Sequence, residues 1–315
     1  MARQWLRRVS LKLGDRDGKA LDVSDLRFTF AIRQNDVQSP NTCDITVYNV
    51  SAETARRAKE EFLRVVLEAG YEGSYGAIFD GTIIQARHGR ESGTDTYLNI
   101  LGQEGDAAYN FAVANKTLAA GHTLNDVEKA LCDAQKPHGV ERGYVPDLGG
   151  PTYPRGRVVV GMVRDGYREL GAATGATWSI AGTKSQVLKT NEYLPGEAVV
   201  LNSRTGMIGF PAQTPDGIIV RCLLNPRIKP GVKLKIDNAS IQDYKMATTY
   251  TGEKDAALVP KKDADGEYRV VAVDHFGDTR GQEFYTEVVA TGRFGAVSTS
   301  QAQRGRSGEA AGGGS

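Results

Sequence analysis

The sequence of 315 residues has few cysteines, and none of them is placed for chemistry. Cys43, Cys132 and Cys222 lie far apart and form no Cys-x-x-Cys pair. We therefore expect reduced packing residues rather than disulfides or metal ligands. The sequence also lacks HExxH, GxSxG, Walker A and GxGxxG motifs. This removes the usual sequence evidence for a metalloprotease, a serine hydrolase or a nucleotide-binding enzyme.

Long apolar runs and a charge excess are missing too. No stretch reaches the roughly 18 apolar residues of a membrane-spanning helix, and the first residues lack the apolar core of a signal peptide. We therefore expect synthesis and folding in a cytoplasm without membrane insertion. Thirty-nine Lys and Arg face 38 Asp and Glu, giving a net charge of +1. Any contact with DNA should then be local or weak, because no global field attracts it.

The strongest positive signal is apolar alternation with period two. Phe28, Phe30 and Ile32 alternate with Arg27, Thr29 and Ala31, as in a strand with one buried face. Such segments predict an antiparallel β domain over residues 1–105. Within it, Ser51 is a suitable N-cap, and apolar residues as far as Phe62 predict one short helix.

Residues 106–193 have a different pattern, which predicts a small α+β module. Thr123 can cap one helix, and a second helix is predicted around residues 161–174. A hairpin follows with its turn at 181–184. After residue 194 strand signals return, so residues 194–295 are predicted to form a second β domain. Residues 296–315 contain no large apolar side chain to bury and should be disordered.

The two β domains contain similar hairpins. FDGTIIQARH…TYLNILGQ and YRVVAVDH…FYTEVVAT both have an apolar strand, a histidine with a Gly-containing turn, and then a Tyr near the start of another apolar strand. This suggests an internal duplication. The alternative, that unrelated antiparallel hairpins look this much alike, stays open at the sequence level.

Candidate catalytic residues are few, and each has a structural interpretation. Asp274, His275 and Asp278 form the tightest charged cluster, in a segment whose Gly and Asp favour a hairpin turn. Glu169 is the only vague candidate for a glycosidase acid, and its position favours a solvent-facing helix residue. His88, His122 and His138 sit in separate turn or loop contexts. We predict no catalytic, cofactor-binding or metal site.

Several segments resemble the baseplate hub family of contractile-tailed phages, including the Mu-like hubs. The resemblance covers most of the chain, through NTCDITVYNVSAETARR, RGRVVVGMVRDGYRELGAATGATWSI and LNSRTGMIGFPAQTPDGIIVRCLLNP. These strings are frameworks of Gly, Pro and apolar residues, not catalytic signatures. The resemblance implies a mainly β fold with an α+β insert, containing two tail-tube-like antiparallel β-barrels.

The resemblance also implies a homotrimer that acts as a structural adaptor in the virion tail baseplate. It would join the hexameric tail-tube protein to a trimeric spike protein, with wedge and tape-measure proteins as further partners and DNA only passing through the channel. Two alternatives stay open: a tail-tube or tube-terminator protein, and a tail-associated peptidoglycan hydrolase.

A long polar segment, residues 242–266, interrupts the second β domain and is too long for an ordinary turn. It carries Tyr244, Met246, Tyr250 and Leu258 among polar residues. We expect these four side chains to contact a neighbouring subunit or the tube.

Overall fold

The computed structural model describes residues 6–15, 19–214, 217–241 and 266–292. The predicted contact residues Tyr244, Met246, Tyr250 and Leu258 and the predicted tail 296–315 lie outside these residues. Both expectations therefore stay predictions.

The first part of the chain is a β domain with one helix. Its strands alternate buried and exposed residues, as in β3, where Phe28, Phe30 and Ile32 are buried. The elements are β1 (Arg7–Asp15), β2 (Ala20–Asp22), β3 (Phe28–Asn35), β4 (Thr42–Tyr48), α1 (Ala52–Glu60), β5 (Phe62–Tyr71), β6 (Ser74–Arg90) and β7 (Thr96–Gln103).

Helix α1 begins at the predicted cap. The Thr54 backbone N–H donates to Ser51 Oγ at 3.1 Å, which satisfies one of the free donors of the first turn. The helix ends earlier than predicted, because Phe62 starts β5 and is buried in the sheet. Spacing alone misassigned Phe62, since one apolar residue fits either a helix face or a strand.

The middle part is α+β, as predicted. The Thr123 hydroxyl and the Asp126 carboxylate cap α3 reciprocally, a capping box that fixes where the helix starts. The elements are α2 (Asp106–Phe111), β8 (Val113–Leu118), α3 (Leu124–Gln135), β9 (Glu141–Arg142), β10 (Arg157–Met162), α4 (Val163–Thr174), β11 (Ala176–Ala181) and β12 (Lys184–Lys189), with a 3₁₀ turn at Lys136–His138.

Two features of the middle part differ from the prediction. Gly161 and Met162, assigned to a helix, end β10, and the helix starts at Val163. The pairing of β10 with β8 was not predicted, since these strands are separated by a helix and an irregular segment. The hairpin of β11 and β12 was predicted correctly, with its turn between Ala181 and Lys184.

In the described residues of the last part, the regular elements are again strands, apart from a 3₁₀ turn at Asn238–Ser240. Most of its strands match the predicted segments, whereas β14 was missed because its Gly and Pro interrupt the alternation. The strands are β13 (Val199–Leu201), β14 (Met207–Thr214), β15 (Gly217–Leu223), β16 (Lys233–Ile236), β17 (Glu267–Asp278) and β18 (Phe284–Gly292).

The strands of the first and last parts join into one sheet of 13 strands among the described residues, because β3 pairs with β17. Its main path runs β14-β15-β18-β17-β3-β4-β7-β6-β5-β1-β2. No strand pairing among the described residues closes either half of the sheet on itself. The mainly β fold with an α+β insert is confirmed, whereas the two closed barrels are not.

Three hydrophobic cores follow one another along the chain. The first lies under β1–β7, the second between the helices and strands of the middle part, and the third under β13–β18. Leu224 and Phe284 are exceptions, since they lie in the last part but pack into the first core. The cores agree with three modules in sequence order, while the exact bounds 1–105, 106–193 and 194–295 stay a prediction.

Two buried polar clusters hold the three parts together. Arg269 on β17 forms an ion pair with Asp36, just after β3, and donates to the carbonyl oxygen of Thr190 at 2.7 Å. In the second cluster Glu104, just after β7, accepts from Asn41 Nδ2 and from the Gly182 backbone N–H, both at 2.8 Å. Each cluster therefore ties the middle module to the sheet.

Candidate assembly interface

The joint between β3 and β17 is the most extensive contact between the two β domains. Residues 29–35 pair antiparallel with residues 272–278. Arg27 and Asp278 form an ion pair of 2.8 Å at one end of this joint, and the rings of Phe30 and Phe284 pack edge to face with centroids 6.0 Å apart beneath it. The chain thus contains one complete example of how two such domains meet.

The two predicted repeat hairpins share a structural irregularity. In β6 the register against β7 shifts at Ile84, and in β17 the register against β18 shifts at Val271. Each bulge lies four residues before a histidine, from 84 to His88 and from 271 to His275. A bulge bends its strand and is usually conserved within a family. Its shared position therefore supports the internal duplication, since unrelated hairpins need not share a bulge.

The neighbours of the two hairpins correspond as well. β7 pairs with β4, and β4 with β3; β18 pairs with β15, and β15 with β14. β5 lies beside β6 in the position that β16 has beside β17. β14 is therefore the counterpart of β3, and β6 is the counterpart of β17.

The counterparts differ in one respect: β3 and β17 pair with each other, whereas β6 and β14 have open edges. β5 covers β6 only up to Thr82, so that residues 83–90 have a strand on one side alone in the described chain. β14 ends the path of the sheet and pairs only with β15 there. Open strand edges are sites where another chain can pair.

The β14 edge also exposes apolar side chains. Ile208 is 41% exposed and Phe210 69% exposed. Between them Gly209 has a φ of 70°, the left-handed region that glycine adopts without a steric cost. The bulge at 209–211 therefore turns Phe210 toward solvent.

The residues considered for catalysis are not brought together. Asp274 and His275 are consecutive in β17 and so project to opposite sheet faces, while Asp278 is bound to Arg27 at the end of the strand. Glu169 on α4 is exposed and pairs with Arg157 at 3.7 Å. No group of three His, Cys, Asp or Glu side chains suited to a metal occurs in residues 6–15, 19–214, 217–241 and 266–292.

The histidines and cysteines have packing or surface positions. His88 is exposed, and His122 is buried and stacks on Tyr153. All three cysteines are buried. Burial raises the pKa of the Cys222 thiol to about 12, which keeps it protonated and unreactive at neutral pH.

His275 is fully buried, and its Nδ1 lies 2.8 Å from Thr286 Oγ1. Burial, assisted by the positive charge of Lys229, lowers the pKa of His275 to about 3. The folded chain therefore keeps this imidazole neutral at a pH where the unfolded chain protonates it.

This difference predicts a loss of stability in mild acid. Between about pH 6.5 and pH 3 only the unfolded state takes up this proton, so the free energy of unfolding falls as the pH is lowered. From pH 7.5 to pH 5, we expect wild type to lose about 2 kcal/mol more than His275→Gln, measured by urea unfolding. Equal losses in the two proteins would contradict this role of His275.

The described helices include none that is both long and apolar enough to cross a membrane. This statement applies to residues 6–15, 19–214, 217–241 and 266–292.

No protein-family model and no curated protein matches the sequence. Among solved structures, the prophage MuSo2 43 kDa tail protein of Shewanella oneidensis superimposes with a TM-score of 0.58 at 9% identity, over 91% of this chain and 97% of that one. A tail protein of Neisseria meningitidis MC58 gives a TM-score of 0.56 at 11% identity, with the same coverage of 91% and 97%.

A third match is an E. coli component of the type VI secretion system, described as structurally similar to the T4 bacteriophage tail proteins gp27 and gp5. Its TM-score is 0.51 at 12% identity, over 94% of this chain and 78% of that chain. The resemblance inferred from the sequence is thereby confirmed at the level of fold. This chain has the fold of the prophage tail proteins and of the type VI secretion component to which it is similar.

Proposed function

We propose that the chain is a structural subunit of a phage tail or a related injection machine, namely the baseplate hub. In this role three copies form a ring that joins the hexameric tail tube to a trimeric spike, and DNA passes through the channel without being captured. The observation that carries the proposal is the pair of open edges, β6 and β14, on a chain whose equivalent edges already pair internally.

The joint of β3 with β17 supplies the template for the contact between copies. By correspondence, β14 of one copy pairs with residues 85–91 of the next copy. This contact is heterologous, since two different surfaces meet, and heterologous contacts generate rings when the rotation closes. Two equivalent units per chain then match a sixfold tube when three chains close the ring.

The register of the proposed contact follows from the strand pairs. Just before each bulge, Ile83 lies opposite Gly102 and Val270 opposite Ala290, which makes Gly102 and Ala290 equivalent.

On the neighbouring strands, Gly102 lies opposite Cys43, which lies opposite Ile32. In the same way, Ala290 lies opposite Ile218, which lies opposite Gln213. Gln213 therefore occupies on β14 the position that Ile32 has on β3. Since Ile32 lies opposite His275, Gln213 should lie opposite His88 of the neighbouring copy, and Thr214 opposite Arg87.

A double variant, Arg87→Cys with Thr214→Cys, tests this register. Residues directly opposite in an antiparallel pair have Cα atoms about 4.5–5.5 Å apart, within the range that a disulfide spans. Under mild oxidation we expect disulfide-linked dimers and trimers on a non-reducing gel. The three native cysteines are buried and should not form cross-links of their own.

The matched control is Arg87→Cys with Gln213→Cys, which is one residue out of register and places the thiols on opposite faces of the sheet. Equal cross-linking of both pairs would contradict the register. Native mass spectrometry of wild-type protein from assembled particles measures its oligomeric state. Monomers alone would contradict the proposed function itself.

The two alternatives make different predictions. A tail-tube or tube-terminator protein needs only one such β unit per chain, whereas this chain contains two with corresponding strand neighbours. A tail-associated peptidoglycan hydrolase would clear a cell-wall suspension in a turbidity assay, and we expect no activity from the purified chain.

A further inference from the structure

The internal joint holds an aromatic side chain in a pocket that a glycine provides. Phe30 on β3 lies opposite Gly277 on β17, and a Cβ atom added at Gly277 would overlap the aromatic ring of Phe30. Phe284 packs edge to face against the same ring, and Phe30 is buried. The absence of a side chain at Gly277 therefore makes the space that Phe30 fills.

The counterparts on β6 and β7 do not form this pocket. Arg90 and Gly277 each lie two residues after the histidine of their hairpin, so that Arg90 stands in place of Gly277. Thr96 lies opposite Arg90 as Phe284 lies opposite Gly277, so that a small hydroxyl side chain replaces the packing aromatic ring. A phenylalanine placed like Phe30 would therefore overlap the Arg90 side chain of the next copy.

β14 differs from β3 at the matching position. On β3, Phe30 alone lies opposite Ile45. In the register derived above Val220 is the counterpart of Ile45 on β15, and three residues, 209–211, lie opposite it. These extra residues form a bulge, which bends the strand and changes the direction of its side chains. Phe210 is the middle one of the three and is 69% exposed.

We infer that Phe210 of one copy packs on the guanidinium group of Arg90 of the next copy. The inference rests on the proposed function. By correspondence with the internal joint, Ile208 and Ala212 lie opposite the two neighbours of Arg90, so that the bulge between them faces Arg90. The Arg90 guanidinium donates to the carbonyl oxygen of Gly93 at 3.4 Å, which is a long hydrogen bond that can be exchanged for another contact.

The chemistry of this contact already occurs on the sheet. Arg27 lies over the aromatic ring of Tyr48 at 4.8 Å, and Arg221 lies over that of Tyr285 at 4.7 Å. The electron-rich face of an aromatic ring attracts a guanidinium group, and the attraction grows when water is excluded. Two departures from the internal joint, the lost pocket and the displaced aromatic side chain, thus compensate each other across the contact.

A double-mutant cycle tests the contact. Phe210→Ala and Arg90→Ala should each raise the dissociation constant of the trimer by about tenfold, measured by analytical ultracentrifugation. The double variant should raise it by less than the product of the two effects, because the partners act on each other. The matched control is Phe111→Ala in the middle module, where the side chain is 67% exposed and the trimer should not change.

The outcomes separate this contact from the ring itself. Effects that multiply in the double variant, or trimers of Phe210→Ala as stable as those of Phe111→Ala, would overturn the contact alone. A wild-type chain that stays monomeric would overturn the proposed function and the contact with it. Thermal unfolding of each variant monomer should match wild type, because the substituted side chains are exposed.

The sign of a charge at position 210 gives a second test. Phe210→Glu should keep trimers, because its carboxylate meets the Arg90 guanidinium. Phe210→Lys should raise the dissociation constant by about tenfold or more, because like charges then face each other. Adding Arg90→Glu to Phe210→Lys should restore the trimer. Equal or better tolerance of Phe210→Lys than of Phe210→Glu would overturn the contact.

Discussion

Replacing Asp36 with alanine should lower the free energy of unfolding by about 3–5 kcal/mol, because it leaves a buried arginine without its counter-ion. Asp36 and Arg269 are 5% and 4% exposed. Burial raises the pKa of Asp36, and the charge of Arg269 opposes this shift. Arg269 also donates to carbonyl oxygens of the middle module, so that the loss should loosen all three parts at once.

Urea unfolding at neutral pH measures this loss. The control is Glu60→Ala, which removes an exposed ion pair with Arg56 and should change stability by less than about 1 kcal/mol. A paired replacement, Asp36→Leu with Arg269→Met, should recover much of the loss, because it removes both charges. A loss below about 1 kcal/mol for Asp36→Ala would show that the cluster is not essential to the joint.

The second large effect is expected at the open edge of β14. Ile208 lies opposite Arg221, three residues after Ile218 on β15, just as Thr29 lies opposite Thr46, three residues after Cys43 on β4. Ile208 therefore corresponds to Thr29, and in the proposed ring it lies opposite Glu91 of the next copy, as Thr29 lies opposite Asp278. Ile208→Glu then places two like charges across the contact. We expect the dissociation constant of the trimer to rise by about tenfold or more, with the monomer fold unchanged because Ile208 is partly exposed.

A charge reversal distinguishes this contact from a general effect. Adding Glu91→Lys to Ile208→Glu should restore trimers, because opposite charges then meet across the edge. Val200→Glu, on the exposed face of β13, serves as the control and should leave the trimer intact. Trimers that persist in Ile208→Glu, measured by analytical ultracentrifugation, would exclude this edge as the ring contact.

The two hairpins, β6–β7 and β17–β18, correspond in structure as well as in sequence. Sequence likeness alone allowed either a duplication or two unrelated hairpins. The bulges at Ile84 and Val271 and the matching strand neighbours favour the duplication. Because the units correspond, the internal joint of β3 with β17 serves as the template for the proposed joint between copies.

Local features of the fold could be predicted from the sequence. Alternation of side chains identified β3, an apolar segment identified β17, and the hydroxyl groups of Ser51 and Thr123 marked the starts of two helices, since all three signals depend on neighbours along the chain. Phe62 was misassigned and β14 missed, because a single apolar residue or a Gly–Pro interruption does not determine the local conformation.

Only the tertiary structure decided what depends on residues far apart in sequence. The joining of β3 to β17, the ion pair of Asp36 with Arg269 and the open edges of β6 and β14 leave no local pattern, because a strand's sequence specifies a buried face but not its neighbour. Composition and periodicity thus determined a mainly β chain with an α+β insert. Long-range backbone pairing decided that its two β domains share one sheet and which strand edges among the described residues remain open.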